Sequence, residues 1–476
     1  MSETSATVLI VGGGIAGLNA ALNLHRYGVD FVLLEARDRL GGRILTNKSG
    51  LKPYDLGASW AHDTLSNPLF DEMVESEKYD LYYDDHKIYY FGEVLSPEDF
   101  DEMKIEQVTN EMTKYIELQH FENLDQKDCT LHEIVYDYLY KQRKLLSEKQ
   151  IDYAPQFMRN LELWHGISWD EISSKFCMVD NVGRNCLIRG GYSDVIDEMV
   201  KQLPREKLKL NQVIKSIDRT KDVNIETIDG HIYRSKYAII TVPQSILQLN
   251  PTETGGITWT PKLPSQITNA LEHMSFGKLG KIIFEFSEAF WSHLNTDRFV
   301  AVPTPKGMAK VHSCLAQNIK PTVQSSSNGL PEPWDFPLLI LNMHKINKVP
   351  SLLCFTQGEL TEYLEENPDK AWDFMKPMIS KLSMCDAHVP DPVNVISTKW
   401  SQDPFSRGSY AACKPGDDPT DLVIALERGL SNVRFAGEHT ILDGAGAVHG
   451  AWLSGAREAD VILVELGIKE GDSSEW

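Results

Sequence analysis

Four residues near the start of the chain set the first chemical constraint. Gly12, Gly14 and Gly17 follow the apolar run Thr7–Val11 in the spacing G-x-G-x-x-G, and Glu35 closes the next apolar run, Phe31–Leu34. Gly12 permits a tight turn, Gly14 lets a pyrophosphate approach the backbone, and Gly17 lets a helix pack on a strand. The helix opened by such a turn aims free N–H groups and the positive end of its dipole at phosphate. Glu35 stands 23 residues after Gly12, where a carboxylate accepts both hydroxyls of a ribose. The four together predict dinucleotide binding. Directly after them come Arg37, Arg39, Gly41, Gly42 and Arg43. Guanidinium groups there can pair with the pyrophosphate from the side opposite the helix; the plainer alternative is a solvated basic turn. This unit alone leaves NAD and FAD both open.

No metal chemistry is expected. Cys129, Cys177, Cys186, Cys314, Cys354, Cys385 and Cys413 are scattered, with no C-x-x-C pair. That spacing argues against a structural zinc site and a disulfide framework, and for reduced thiols.

The elements that must position these groups are legible from periodicity. Thr7–Val11 and Phe31–Leu34 read as buried strands around a helix from Leu18 to Tyr27, with Gly28 as its stop. Residues 70–173 carry a helical pattern throughout. Lys207 to Asp229 alternates and turns at Asp229-Gly230, a hairpin signal. Tyr237–Val242 and Lys281–Phe286 read as strands, and Lys320–Trp334 as a loop. Val433–Ala436 is a late strand, followed by glycines at 437, 444 and 446 and a helix from about Ala447 to Leu466. Nucleotide-type glycines therefore sit at both ends of the chain, and the two ends are expected to meet around one cofactor.

With 476 residues the chain is long enough for two or three units. Its 68 acidic against 47 basic residues give a net charge of −21, which lacks the basic footprint of a nucleic-acid binder and is compatible with a cationic ligand. No stretch approaches the length of a membrane span. The first apolar run is preceded by Glu3 rather than Lys or Arg and is broken by Gly12, Gly13 and Gly14, unlike a signal peptide. The polar stretch Ile468–Trp476 offers neither a tail anchor nor a peroxisomal ending. Cytoplasm is the expected location.

Glu35-Ala-Arg-Asp-Arg-Leu-Gly-Gly-Arg43 resembles the second FAD motif of the flavin-containing amine oxidases, and so does Tyr54-Asp-Leu-Gly-Ala-Ser-Trp60. Arg434–Thr440 and Gly444–Gly455 resemble that family's closing FAD motif. Within the family, Trp60–Pro68, Leu161–Gly166, Ser275–Lys281 and Asp403–Tyr410 are most similar to yeast polyamine oxidases; yeast corticosteroid-binding proteins resemble the same group. The resemblance implies an α/β, Rossmann-like FAD-binding domain of discontinuous segments 1–85, 180–270 and 395–476. It also implies an α+β substrate domain, with a mixed sheet and helices, from 86–179 and 271–394. The closing motif disfavours a NAD-linked dehydrogenase that shares only the first glycine turn.

The cofactor contacts that the resemblance implies fall on Gly12, Gly14, Ala16, Gly17, Glu35, Ala36, Arg37, Gly42, Arg43, Gly57, Ala58, Ser59, Val213, Gly437, Glu438, Ala447 and Val448. Val213 would meet the adenine with its backbone, the Glu438 N–H would reach phosphate, and Ala447 and Val448 would begin the helix that points at the flavin ring. Some relatives link FAD to a cysteine. That position holds Ser409 here, with Cys413 four residues on, so non-covalent FAD is expected.

The implied chemistry is oxidation of a polyamine such as spermine or N1-acetylspermine by hydride transfer to flavin N5. The imine then hydrolyses to an aldehyde and a shorter amine, and O2 is reduced to H2O2. Lys281 matches the lysine that holds a water at flavin N5, and His62 matches an active-site histidine. Trp164, His165 and Tyr410 resemble walls of the substrate tunnel, Asn185 a polar contact for substrate nitrogen, and Asp84 and Asp85 an acidic mouth for a distal ammonium. Ala61, Cys186 and Ile188 depart from the yeast pattern, which puts the tunnel lining in question. The alternative function is a flavoprotein that binds an apolar ligand such as a corticosteroid, with oxidation lost or secondary. Neither oligomeric state nor the preferred amine is written in these motifs.

Overall fold

The computed structural model describes residues 3–122, 126–178, 181–323, 329–384 and 389–470. Cys385, the middle of the Lys320–Trp334 loop and the end of the Ile468–Trp476 tail lie outside the described residues.

The nucleotide half is built on an eight-stranded sheet. Strand Glu3–Val11 runs parallel to Phe31–Leu34 on one side and to Ile232–Ile240 on the other, and Val433–Phe435 joins Ile232–Ile240 in parallel. At Val8–Val11, Phe31–Leu34 and Tyr237–Ile240 these strands are continuous buried apolar runs, because both faces of the sheet are covered there. On one face, helices Ile15–Arg26 and Val448–Glu465 pack together with Ser193–Lys201. On the other, Ser265–Glu272 and Pro419–Glu427 complete a second core. The expected hairpin forms between Val223–Thr227 and Ile232–Ile240. The first and last helices approach closely where Gly455 meets the first: a Cβ on Gly455 would lie 2.0 Å from the Ala16 carbonyl oxygen. The chain's two ends are thus joined by backbone contact.

The second half is a mixed six-stranded sheet in the order Asn394–Ser397, Leu279–Glu285, Ser351–Gln357, Leu338–Asn342, Arg298–Ala301 and Tyr89–Phe91. All its pairs are antiparallel except the last. Side chains alternate between its faces. Ile282, Phe284 and Cys354 pack under helices Gly358–Glu366 and Ala371–Ile379. Ile283, Leu339 and Phe355 face the other way, toward Tyr54 and Leu163. A helical layer, with Ile105–Glu122, Leu131–Gln142 and Glu148–Met158, forms a separate core.

Two expectations change. Residues 70–173 are not helical throughout. Leu81–Tyr82 and Tyr89–Phe91 are short strands, because this aromatic stretch fits a pleated edge and has strands beside it to pair with. Strand Asn394–Ser397 belongs to the second sheet, so a boundary at 395 would cut it; the sheet's edge pairing is not visible in local sequence.

Candidate active site

One cavity runs along the junction of the two halves, from the glycine turn to the inner face of the second sheet. Its nucleotide end is set by local structure. The turn delivers helix Ile15–Arg26 with Gly14 as its extended N-cap. A Cβ on Gly17 would lie 2.0 Å from the Gly12 carbonyl oxygen, so only glycine permits this helix to pack against its own turn. Glu35 is buried at the end of its strand, where it accepts hydrogen bonds from the N–H groups of Gly13 (2.7 Å) and Arg37 (2.9 Å). A carboxylate has about four acceptor positions, so about half of its capacity remains for a ribose.

Of the predicted cofactor residues, all but Gly17 line the cavity: the turn, Glu35 to Arg37, Gly42, Arg43, Gly57 to Ser59, Val213, Gly437, Glu438, Ala447 and Val448. Ser409 also lines it, and its Oγ is a buried hydroxyl without a hydrogen-bond partner among the described residues. The spare acceptors of Glu35 and the open wall at Gly14, where a Cβ would touch nothing within 4 Å, fit a dinucleotide. The arginines are more committed than their sequence implied. Arg37 forks onto Asp403 at 2.9 Å, and Arg43 donates to Glu438 (2.9 Å) and to the Ser409 carbonyl (2.7 Å). Their charges are balanced by carboxylates.

The chemical end is assembled over long sequence distances. Strand alternation puts Lys281 on the inner face with Ile283, and the residue is 5% exposed. Its Nζ donates to the carbonyls of Asp55 (2.9 Å) and Gly57 (2.5 Å) and to Ser59 Oγ (2.6 Å). Burial pushes this amine below its ordinary value, against the pull of the Asp55 carboxylate. Burial raises the Asp55 carboxyl, and Lys281 and Thr46 hold it down. An ammonium has three donors, and here all three are taken by protein atoms. Lys281 thereby clamps the strap Asp55–Ser59 that walls the cavity.

His62 also lines the cavity, and its Nδ1 lies 2.9 Å from Asn185 Oδ1. With the amide oxygen on that side, Nδ1 carries the proton and Nε2 keeps a lone pair. Burial lowers the pKa of His62, and the Asn185 hydrogen bond only partly opposes this. The imidazole is therefore neutral and accepting at neutral pH. Trp164 and Tyr410 form a wall, tied by a hydrogen bond from the Tyr410 hydroxyl to the Trp164 carbonyl.

Four predicted substrate-site residues stand elsewhere: His165 does not line the cavity, and its Nε2 lies 2.9 Å from the Cys177 carbonyl oxygen. Asn185 does not line the cavity and is spent on His62. Asp84 is fully buried and grips Arg298 at 2.8 and 3.0 Å. Asp85 pairs with Arg184 at 2.5 Å on the surface. An acidic mouth is not built from these two carboxylates, because each has found an arginine that the linear sequence does not place beside it. Sequence analysis also missed cavity residues Leu339, Phe355, Trp400 and Arg298. The first two were findable in principle as inward positions of alternating strands; nothing local marked the others.

Known proteins resemble this chain along nearly its whole length. The profile of the flavin containing amine oxidoreductases matches residues 15–463. A corticosteroid-binding protein of Candida albicans is 38% identical over 98% of both chains. Polyamine oxidase 4 of Oryza sativa subsp. japonica is 29% identical over 98% of this chain and 91% of its own. A redesigned putrescine oxidase superposes with a TM-score of 0.69 at 16% identity, covering 97% of this chain and all of the other, which shows the shared fold.

Proposed function

The chain belongs to the flavin-containing amine oxidoreductases, an FAD-dependent amine oxidase, and from that premise we propose that it oxidises polyamines of the spermine class with FAD held non-covalently. We further propose the two-domain division expected from sequence, with the last boundary moved past Ser397 to keep the second sheet whole. The observation that carries the activity is the meeting, in one cavity, of the dinucleotide turn with Lys281, His62, Trp164 and Tyr410.

When bound, the flavin supplies the two-electron acceptor for the amine's α-carbon hydrogen and passes those electrons to O2. The protein binds, orients and dries. Trp164 and Tyr410 present flat apolar surface to an alkylamine, and their π faces attract its cationic ends. The Nε2 lone pair of His62 accepts an N–H of the reacting nitrogen, and Asn185 fixes the ring for that task. Since His62 stays neutral, it adds no positive charge beside an amine that must itself be neutral to react. Lys281 holds the strap Asp55–Ser59 in register with the cavity.

A second reading is an apolar-ligand flavoprotein in which oxidation is secondary. It is supported by the likeness to a protein named for corticosteroid binding and by the wall opposite the nucleotide end, where Leu163, Leu339 and Phe355 are apolar. One experiment separates them: anaerobic addition of spermine or N1-acetylspermine to the pure yellow protein. Loss of the flavin band near roughly 450 nm supports the oxidase; an unchanged spectrum with both amines refutes it.

A further inference from the structure

Glu35 and Glu438 are the only acidic residues lining the cavity among the described residues, and both belong to its nucleotide end. The substrate end instead carries Lys281 and Arg298 beside His62. Arg298 opens strand Arg298–Ala301, whose pairing with Leu338–Asn342 fixes its position. Its Nε and Nη2 fork onto the two oxygens of Asp84 at 3.0 and 2.8 Å, and Trp60 Nε1 donates to the same carboxylate at 3.0 Å. Asp84 has 0% exposure, so no ligand reaches it without displacing the guanidinium. The Nη1 group of Arg298 has no hydrogen bond to the described residues, and its side chain keeps 12% exposure at the cavity wall. The guanidinium lies 5.7 Å from the Trp60 ring centre, and Lys281 Nζ lies 5.9 Å from that same ring. Both cations thus neighbour one aromatic ring of the cavity wall.

Arginine stays charged at every working pH. Its pair with Asp84 is neutral as a unit, so a distal ammonium finds no net attraction there and faces guanidinium N–H donors. A carbonyl oxygen is the complement of those donors. A site built to donate a hydrogen bond rejects ligands that lack the acceptor, because a buried donor is then left unpaired.

We propose that Arg298, with Asp84 as its anchor, is a specificity-determining residue of the substrate end, taking a neutral carbonyl oxygen of the ligand and turning away a free ammonium. The chemistry is common to an N-acylated polyamine and to an oxo-substituted polycyclic ligand. For the amine case the inference rests on the oxidase reading above.

The test uses the holoenzyme and three probes. N1,N12-diacetylspermine presents an acetyl carbonyl whichever way it enters, spermine presents an ammonium, and cortisol presents a ketone without an amine. Anaerobic stopped-flow reduction should give diacetylspermine at least a tenfold higher second-order rate constant than spermine. Arg298→Leu frees the Asp84 carboxylate and should invert that order. If this variant does not fold with its buried charge unpaired, Arg298→Leu/Asp84→Leu removes both charges and should bring the two rates within about threefold. Equal or faster reduction by spermine in the wild-type protein overturns the proposal, as does a wild-type ratio in the double variant. If neither amine reduces the flavin, the oxidase reading has failed and binding decides the role of Arg298. Cortisol should then perturb the flavin spectrum with a Kd at least tenfold lower in the wild-type protein than in the double variant; no binding, or equal Kd values, overturns the proposal.

Discussion

Replacing Lys281 by Met keeps the length of the side chain and removes its charge and its three donors. The structure makes this more than a catalytic test. The Asp55 and Gly57 carbonyls and Ser59 Oγ all lose the Nζ that holds them at 2.9, 2.5 and 2.6 Å. A buried acceptor left unpaired costs about 1–3 kcal/mol. Three of them would cost more than the whole effect, since the buried ammonium was itself disfavoured, as its lowered pKa shows. A net loss of about 2–5 kcal/mol follows, within the roughly 5–15 kcal/mol that a folded protein commands. Thermal unfolding of the apoprotein should therefore begin about 2–5 °C lower. The loosened strap Gly57–Ser59 lines the cavity, so FAD should dissociate more readily. Reduction by amine, reoxidation by O2, or both should slow about tenfold, equivalent to about 1.4 kcal/mol of barrier. Calorimetry, flavin-fluorescence titration and anaerobic stopped-flow read the three effects separately. An unchanged melting temperature would show that the clamp contributes nothing net. Both half-reactions within about twofold of wild type would remove Lys281 from the chemistry.

Other expectations are as direct. Glu35→Ala should weaken FAD binding far more than it slows the loaded enzyme, since two charge-assisted hydrogen bonds of about 1.5–3 kcal/mol each are lost; unchanged FAD retention after dialysis would exclude the ribose role. Acid precipitation should leave the flavin in the supernatant, because the family resemblance puts Ser409 where some relatives carry a linking cysteine; flavin in the pellet would contradict non-covalent binding. His439 is fully buried chemistry of another kind: burial lowers its pKa to about 4. The unfolded chain takes up that proton near pH 6.5 and the folded protein only near 4, so acidification through this window favours unfolding. Melting temperature should fall between these pH values, and His439→Gln should flatten that slope; identical pH profiles for both proteins would refute the assignment.

The parts of this protein that sequence determined are those whose physics is local. A tight turn, a helix N-terminus and a strand-end carboxylate are specified by neighbouring residues, so the turn Gly12–Gly17, Glu35 at its strand end and the closing helix Val448–Glu465 are legible as local structure in the sequence. Inward and outward positions on Leu279–Glu285 follow from alternation, but Lys281 is picked out by the family resemblance, since a lysine at a strand start read alone is a solvated charge. What the tertiary structure alone decided is which charge meets which. Asp84 and Arg298 are 214 residues apart, and His62 and Asn185 are 123 apart. Lys281 finds its acceptors more than 220 residues away. A sequence states that a side chain carries a charge or a donor, whereas its free energy in the fold depends on burial and on the partner within hydrogen-bond reach. Asp84 read alone is an acid ready for an ammonium; buried against Arg298 it is half of a neutral pair, and the chemistry at that end of the cavity passes to the guanidinium.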